Sequence, residues 1–300
     1  MNKINRKHTF FIIAASTLYG LITVGGQFFA DSGFSLYEIS GLIFFLAISL
    51  APLLVFKKEY RIPREQITFF IIFGFIGAGL QIGQFAGIIL GVPVAVVALL
   101  LYSQPIWTSV FSRFFLNEAI TTRKLLALLL ALTGIIVLVN PFGIQNKFST
   151  AGLGAALGAG VFFSLWVIWG RKSALKNQHF LTTTFGFSFF TSLWLLLLYP
   201  LATLLWEEPK FARFDPGIYL EFWWAVAGFT IFAGLMPNFL AFAGMRKVDA
   251  STTGVLLLFE PISAAILAFI FFNQPLTSNI WLGGGFLLLA NYVLLRTGSS

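Results

Sequence analysis

Ser103-Gln104-Pro105-Ile106-Trp107, followed by Phe115-Leu116-Asn117-Glu118-Ala119-Ile120-Thr121, returns 156 residues later. The second copy reads Phe259-Glu260-Pro261-Ile262-Ser263, then Phe271-Phe272-Asn273-Gln274-Pro275-Leu276-Thr277. Around these motifs Val92–Val139 lies on Val248–Leu295 without a gap, with twelve of 48 positions identical. Leucine matches mean little in an apolar chain. Pro105 with Pro261, Phe115 with Phe271, Asn117 with Asn273 and Thr121 with Thr277 carry the repeat. Each proline sits inside an apolar run. There it removes a backbone donor and crowds the carbonyl four residues earlier, Leu101 or Leu257.

Working outward, ten apolar runs are long enough to span a bilayer, which takes about 20 residues each. They cover 9–29, 36–56, 67–89, 93–114, 123–140, 151–170, 182–206, 218–243, 251–272 and 277–295. Of 300 residues, 58% are hydrophobic and 10% charged. A soluble domain carries about 25% charged residues; this apolar surface calls for a bilayer as solvent. The expected fold is all-α, with ten transmembrane helices forming one compact membrane domain. Residues 1–146 make a first five-helix repeat and 147–300 a second. Five is odd, so the second copy enters the membrane upside down. The result is an inverted-topology repeat, which builds a site near the midplane between its halves.

Net charge is +8, from 19 Lys and Arg against 11 Asp and Glu. The basic residues occupy alternate links, and 16 of them share one side: Lys3, Arg6, Lys7, Lys57, Lys58, Arg61, Arg64, Arg113, Arg123, Lys124, Arg171, Lys172, Lys176, Arg246, Lys247 and Arg296. Only Lys147, Lys210 and Arg213 lie opposite. That asymmetry places both termini in the cytoplasm of a multi-pass protein of the inner (cytoplasmic) membrane. Trp206, Trp223, Trp224 and Trp281 fall at outer helix ends, where indole favours the interface. The link 207–217 reads as a surface loop too short for another domain. Met1–His8 leads into an uncleaved first helix. With no basic face or reader motif, nucleic acid is not a partner. No cysteine is present, which excludes disulfides and thiolate chemistry.

The duplicated segment, with its mid-helix proline and the polar pair before the next helix, resembles the EamA-type branch of the drug/metabolite transporter superfamily. Leu258-Phe259-Glu260-Pro261 is similar to that family's second-repeat Glu-Pro segment. Asn117-Glu118 is similar to the polar-Glu pair ending the fourth helix. The second copy departs, with Gln274 where an acidic residue is usual. The resemblance implies ten spans and a carrier of small metabolites, often amino acids or related compounds and often outward. It does not name the substrate.

Ten of the eleven acidic residues lie in links or at helix ends; Glu260 is mid-helix. A charged carboxylate at the midplane costs about 2.5–3.5 kcal/mol on insertion scales. Glu260 therefore belongs in the bundle interior. It either meets a cationic or hydrogen-bonding substrate group, carries a coupling proton, or braces the Pro261 kink. Gln104 is its repeat partner, expected near the centre on the opposing half. Gly79, Gly83, Gly87 and Gly91 form a stripe on the third span that lets another helix approach, within the monomer or across a dimer. Gln81 and Gln84 flank it, as packing or cavity lining. Ser16, Tyr19, Thr23 and Gln27 make one polar face. Pro237-Asn238 and Asn291 offer interhelical hydrogen bonds, and Pro105, Pro261 and Pro237 offer kinks or gates. Of the aromatic residues away from the outer belt, Tyr102 and Trp166 are assigned to the cavity, partly because the corresponding helices line it in the family resembled. Arg171-Lys172 and Lys57-Lys58 read as headgroup anchors.

No cofactor or metal is implied. His8 and His179 sit at membrane edges, and no H-E-x-x-H, G-x-S-x-G or P-loop pattern occurs, so the chain is read as a transporter and not an enzyme or an ATP-driven pump. A lipid or lipid-linked headgroup flippase, an intramembrane enzyme and a channel are the rival classes. Alternating access is favoured by the repeat and the lone central carboxylate.

Overall fold

The computed structural model describes residues 5–90, 92, 94–139, 149–205, 211, 213–273 and 275–295. Gly91 of the stripe, Gln274, Trp206, the loop residues 207–210, the repeat boundary at 146/147 with Lys147, and the terminal Lys3 and Arg296 lie outside the described residues.

Among the described residues every regular element is helical. The chain opens with α1 (Arg6–Asp31), whose first turn is capped by Asn5 accepting from the His8 backbone N–H. It continues as α2 (Leu36–Gly41), α3 (Ile43–Phe56) and α4 (Ile67–Ile89). Then come α5 (Val94–Leu101), α6 (Gln104–Leu116), α7 (Thr122–Val139), α8 (Thr150–Leu175) and α9 (Phe180–Leu205). After the loop follow α10 (Gly217–Glu221) and α11 (Trp223–Phe229), a π-helical turn over Thr230–Leu235, and α12 (Met236–Gly244). The chain ends with α13 (Ala250–Leu256), α14 (Phe259–Phe272) and α15 (Ser278–Leu295). By length and composition seven stretches suit a bilayer: Arg6–Asp31, Leu36–Leu54, Lys58–Gly87, Thr150–Leu175, Phe180–Leu204, Trp223–Gly244 and Ala250–Phe272. Ser278–Leu294 is a shorter apolar helix. The remaining two apolar runs are the broken pair α5/α6 and the 18-residue α7, which carries Arg123 and Lys124 in its first turn.

Both repeat motifs break rather than bend. The helix stops after Leu101 and restarts at Gln104; it stops after Leu256 and restarts at Phe259. Pro105 and Pro261 thus stand in the first turn of a new helix, where a missing N–H costs nothing. The Leu257 carbonyl accepts from Ser16 Oγ at 2.6 Å and from the Glu260 N–H at 3.0 Å. The Leu101 carbonyl faces Gly160 of α8, where an added Cβ would come within 2.6 Å of the Leu100 oxygen and 3.1 Å of the Leu101 oxygen. Pro237 is accommodated differently, by the π-helical turn that precedes it. Both motifs also end alike: Asn117 and Asn273 adopt φ 53°, ψ 29°, left-handed caps that asparagine tolerates.

Close packing is set by small residues. Gly83 and Gly87 of α4 rest on Ala155, Ala156, Ala159 and Gly152 of α8, and Gly79 faces the Phe162 ring, so these three serve the monomer's own packing. Gly134 and Gly283 bring α7 and α15 into backbone contact. α4 also packs on α9, α1 on α12 and α14, α3 on α9, and α5 and α6 on α8.

Two carboxylates tie distant segments together at the helix ends. Glu118, just after α6, accepts from the N–H groups of Ala250 (2.7 Å) and Ser251 (3.1 Å) and from Ser251 Oγ (2.8 Å), capping α13. Beside it Lys124 donates to Ser251 Oγ at 2.6 Å and pairs with Asp249 at 3.5 Å. Glu38, wholly buried in the first turn of α2, forms a capping box with Ser35 and accepts from the Asp215 N–H at 2.7 Å. Arg171 departs from the headgroup-anchor reading. Its guanidinium turns inward, donating to the Met245 carbonyl and lying 4.0 Å from Asp249. A carbonyl left at the end of α12 offers a better partner than a distant lipid.

Candidate substrate cavity

The interior of the bundle holds a cavity of about 100 Å³ where α1, α3, α4, α8 and the π-helical turn converge. Six of the residues singled out from the sequence line it: Glu260, Gln81, Gln84, Trp166, Tyr19 and Asn238. Each is delivered by a local feature. Glu260 stands in the first turn of α14, directly after the break, so its side chain leaves the helix where the backbone opens. Asn238 follows Pro237 and donates its Nδ2 back to the Gly234 carbonyl inside the widened turn, at 2.9 Å. Its Oδ1 is buried with no partner among the described residues. Gln84 Nε2 donates to Gln81 Oε1 at 3.2 Å, one turn apart on α4.

The wall is aromatic. Trp166 meets Tyr19 edge-on at 6.1 Å and packs against Phe163, Phe187 and Phe242. The Tyr19 hydroxyl is buried with no partner among the described residues. Tyr102, in the break between α5 and α6, is buried and sets its hydroxyl against the Glu260 carboxyl and Thr23. It stands behind the acid rather than on the cavity surface.

Gln104 does not reach the cavity. It is fully buried against α13, its Nε2 bonded to Thr108 Oγ1 at 2.5 Å, and Gly254 leaves it room. Pro105 and Pro261 sit at the two breaks, and Pro237 at the π-helical turn. Asn291 bonds its own helix, Nδ2 to the Leu287 carbonyl at 2.9 Å. Sequence reading missed the apolar wall, namely Phe163, Phe187, Phe229 and Phe85 with the α2–α3 residues Ile39, Leu42, Ile43 and Leu46. In a chain with 37 phenylalanines no pattern separates those facing a cavity from those facing lipid.

A second, larger depression of about 650 Å³ lies on the side of the bundle between α3, α9 and α11. It is lined by apolar groups including the exposed Phe44, Leu196 and Trp223.

Known proteins of similar sequence are uncharacterized transporters. One from Clostridium kluyveri is 19% identical over 96% of this chain and 93% of its own. Another from Archaeoglobus fulgidus is 24% identical over 95% of each chain. The transporter YetK of Bacillus subtilis is 24% identical over 88% of this chain and 79% of its own. A crystal structure at 20% identity superposes with a TM-score of 0.76, over 98% of this chain and 99% of the other, which establishes the shared fold. The sequence profile of the EamA-like transporter family matches residues 6–140 and 150–296. This multi-pass membrane protein therefore belongs to the EamA-like transporter family.

Proposed function

We propose that the protein carries a small metabolite, an amino acid or a related compound, outward across the cytoplasmic membrane by alternating access. The observation that carries this reading is the interior cavity with one carboxylate, Glu260, set at a broken helix. Broken helices whose freed backbone and polar side chains meet at a central cavity suit binding and release of a solute.

Alternating access also needs two bodies that can rock. Helix pairings support the inverted repeat of 1–146 and 147–300. Packing of α4 on α8 answers that of α1 on α12, and α5 and α6 on α8 answer α14 on α1. The pairs α7–α15 and α3–α9 map onto themselves under the same exchange. The twin breaks and twin asparagine caps agree with it. The distribution of Lys and Arg supports cytoplasmic termini; protease accessibility of terminal tags in right-side-out vesicles tests that orientation.

Saturable counterflow of a labelled metabolite in reconstituted vesicles is the expected behaviour, and its absence across amino acids and related amines overturns the reading. Coupling to protons through Glu260 predicts that Glu260→Gln removes the dependence of flux on an imposed proton gradient. Unchanged rates and gradient dependence would sink that role. The lateral depression beside α3 and α9 is the one feature favouring a lipid-linked substrate. Movement of labelled lipid without metabolite counterflow would favour it.

A further inference from the structure

The polar groups around the cavity are unbalanced. Among the described residues that line it, Glu260 is the one acid, and there is no Lys, Arg or His. Asn238 donates one of its amide N–H groups to the Gly234 carbonyl, and its Oδ1 is a buried acceptor without a donor among the described residues. The Tyr19 hydroxyl likewise has no partner among the described residues and can accept. Beside the neutral carboxamides of Gln81 and Gln84, the site thus offers a carboxylate, an amide oxygen and a hydroxyl oxygen to a group rich in N–H. The rings of Trp166, Phe163 and Phe187 line the same cavity, and aromatic rings attract a cation.

An anionic group would fare worse. With no cationic side chain to meet it, a carboxylate brought here is a desolvated charge beside a second acid. Size adds a limit, since a cavity of about 150 Å³ holds benzene and this one is about 100 Å³.

Resting on the carrier reading above, and narrowing its solute from amino acids to the related amines, we propose that this cavity selects a small protonated amine that carries no carboxylate, and discriminates against the matching zwitterion and anion. The acid neutralises the ammonium, Asn238 Oδ1 and the Tyr19 hydroxyl take its remaining N–H groups, and the rings cover the hydrocarbon part.

Isobutylamine, valine and isovalerate share one branched hydrocarbon and differ only in charged groups, so they test the proposal directly. Binding is measured by equilibrium dialysis of the labelled compounds with detergent-solubilised protein, and counterflow in vesicles set against protein-free ones. Isobutylamine should bind at least tenfold tighter than valine, and isovalerate should not compete. Glu260→Gln should weaken amine binding tenfold or more, Asn238→Leu several-fold, and Glu260→Asp should keep the preference. Valine or isovalerate binding as tightly as isobutylamine overturns the proposal, as does binding by none of the three or full binding by a folded Glu260→Gln protein. Amine binding without counterflow of any solute would instead remove the carrier reading and leave this selectivity standing. Counterflow of valine with no amine preference would do the reverse.

Discussion

Glu38 and Glu260 are both withdrawn from solvent, at 0% and 7% exposure, yet their surroundings differ in kind. Glu38 is saturated. Its oxygens accept from the Ser35 N–H at 2.6 Å, the Asp215 N–H at 2.7 Å and Arg213 Nη2 at 3.2 Å. Its own carbonyl takes the Tyr219 hydroxyl at 2.7 Å. Glu260 has Tyr102 on one side and open space on the other. A buried charge whose acceptor sites are filled by backbone donors braces a fold. One that faces a cavity keeps capacity for something that comes and goes.

The largest effect expected is therefore at Glu38. Glu38→Ala strands two backbone N–H groups and takes one of the partners of Arg213, which keeps the Gly33 carbonyl; breaking a buried charged cluster costs about 3–5 kcal/mol. Most of that belongs to the backbone donors, because Arg213 is half-exposed and screened. Thermal unfolding in detergent should show it as a fall in Tm. Glu260→Gln should leave Tm close to the parent while weakening exchange and freeing what remains from the proton gradient. Equal losses of Tm at both positions would make Glu260 a brace for the Pro261 turn and erase the distinction.

Glu118 tests the same idea at smaller scale. It holds three donors at the start of α13, but on the rim of the bundle. Glu118→Ala should cost about 1.5–3 kcal/mol, the range for charged hydrogen bonds. Amide exchange at Ala250 and Ser251 should quicken with it. Unchanged protection there would show that α13 needs no cap from Glu118.

What could be read in advance follows the reach of each signal. Hydrophobic length placed these helices closely: 67–89 coincides with α4 and 123–140 nearly with α7. Prolines at 105 and 261 marked where the backbone changes, but sequence suggested kinks and the structure has clean breaks. Whether a freed carbonyl is re-satisfied depends on a residue far along the chain, such as Ser16 for Leu257. Glu260 stood out because an acid amid apolar residues must be explained. Gln104, its partner by position, is walled in by Thr108 and Gly254, neither of which the repeat specifies. Glu38 counted only among the ten acids in links or at helix ends, although Ser35-x-x-Glu38 is a capping-box pattern. Its bond to Asp215, 177 residues away, left no mark in the sequence.

The two breaks permit a finer contrast. At one, Ser16 donates to the exposed carbonyl; at the other, Gly160 merely makes room. Gly160→Ala drives a Cβ to 2.6 Å from the Leu100 oxygen, a backbone atom that cannot step aside. It should cost about 1–3 kcal/mol as overpacking. Ser16→Ala removes one hydrogen bond and should cost about 1 kcal/mol. A reversed order, read from Tm, would mean that α5 and α6 can separate from α8 more freely than α14 from α1.

The smallest effects belong to the twin caps. Asn117 and Asn273 share φ 53°, ψ 29°, and each donates its backbone N–H five residues back, to Ser112 and Ala268. An alanine forced into this conformation loses about 1 kcal/mol, so local geometry alone predicts equal costs for Asn117→Ala and Asn273→Ala. The surroundings do not match, however. Asn117 directly precedes Glu118, and the left-handed turn aims that carboxylate at α13. Relaxing the turn should therefore loosen the Glu118 clamp as well, and Asn117→Ala should be the costlier change. In a Glu118→Ala background the excess should vanish, leaving the two asparagines equal. An excess that survives there would place the difference in the packing of α6 itself rather than in the clamp.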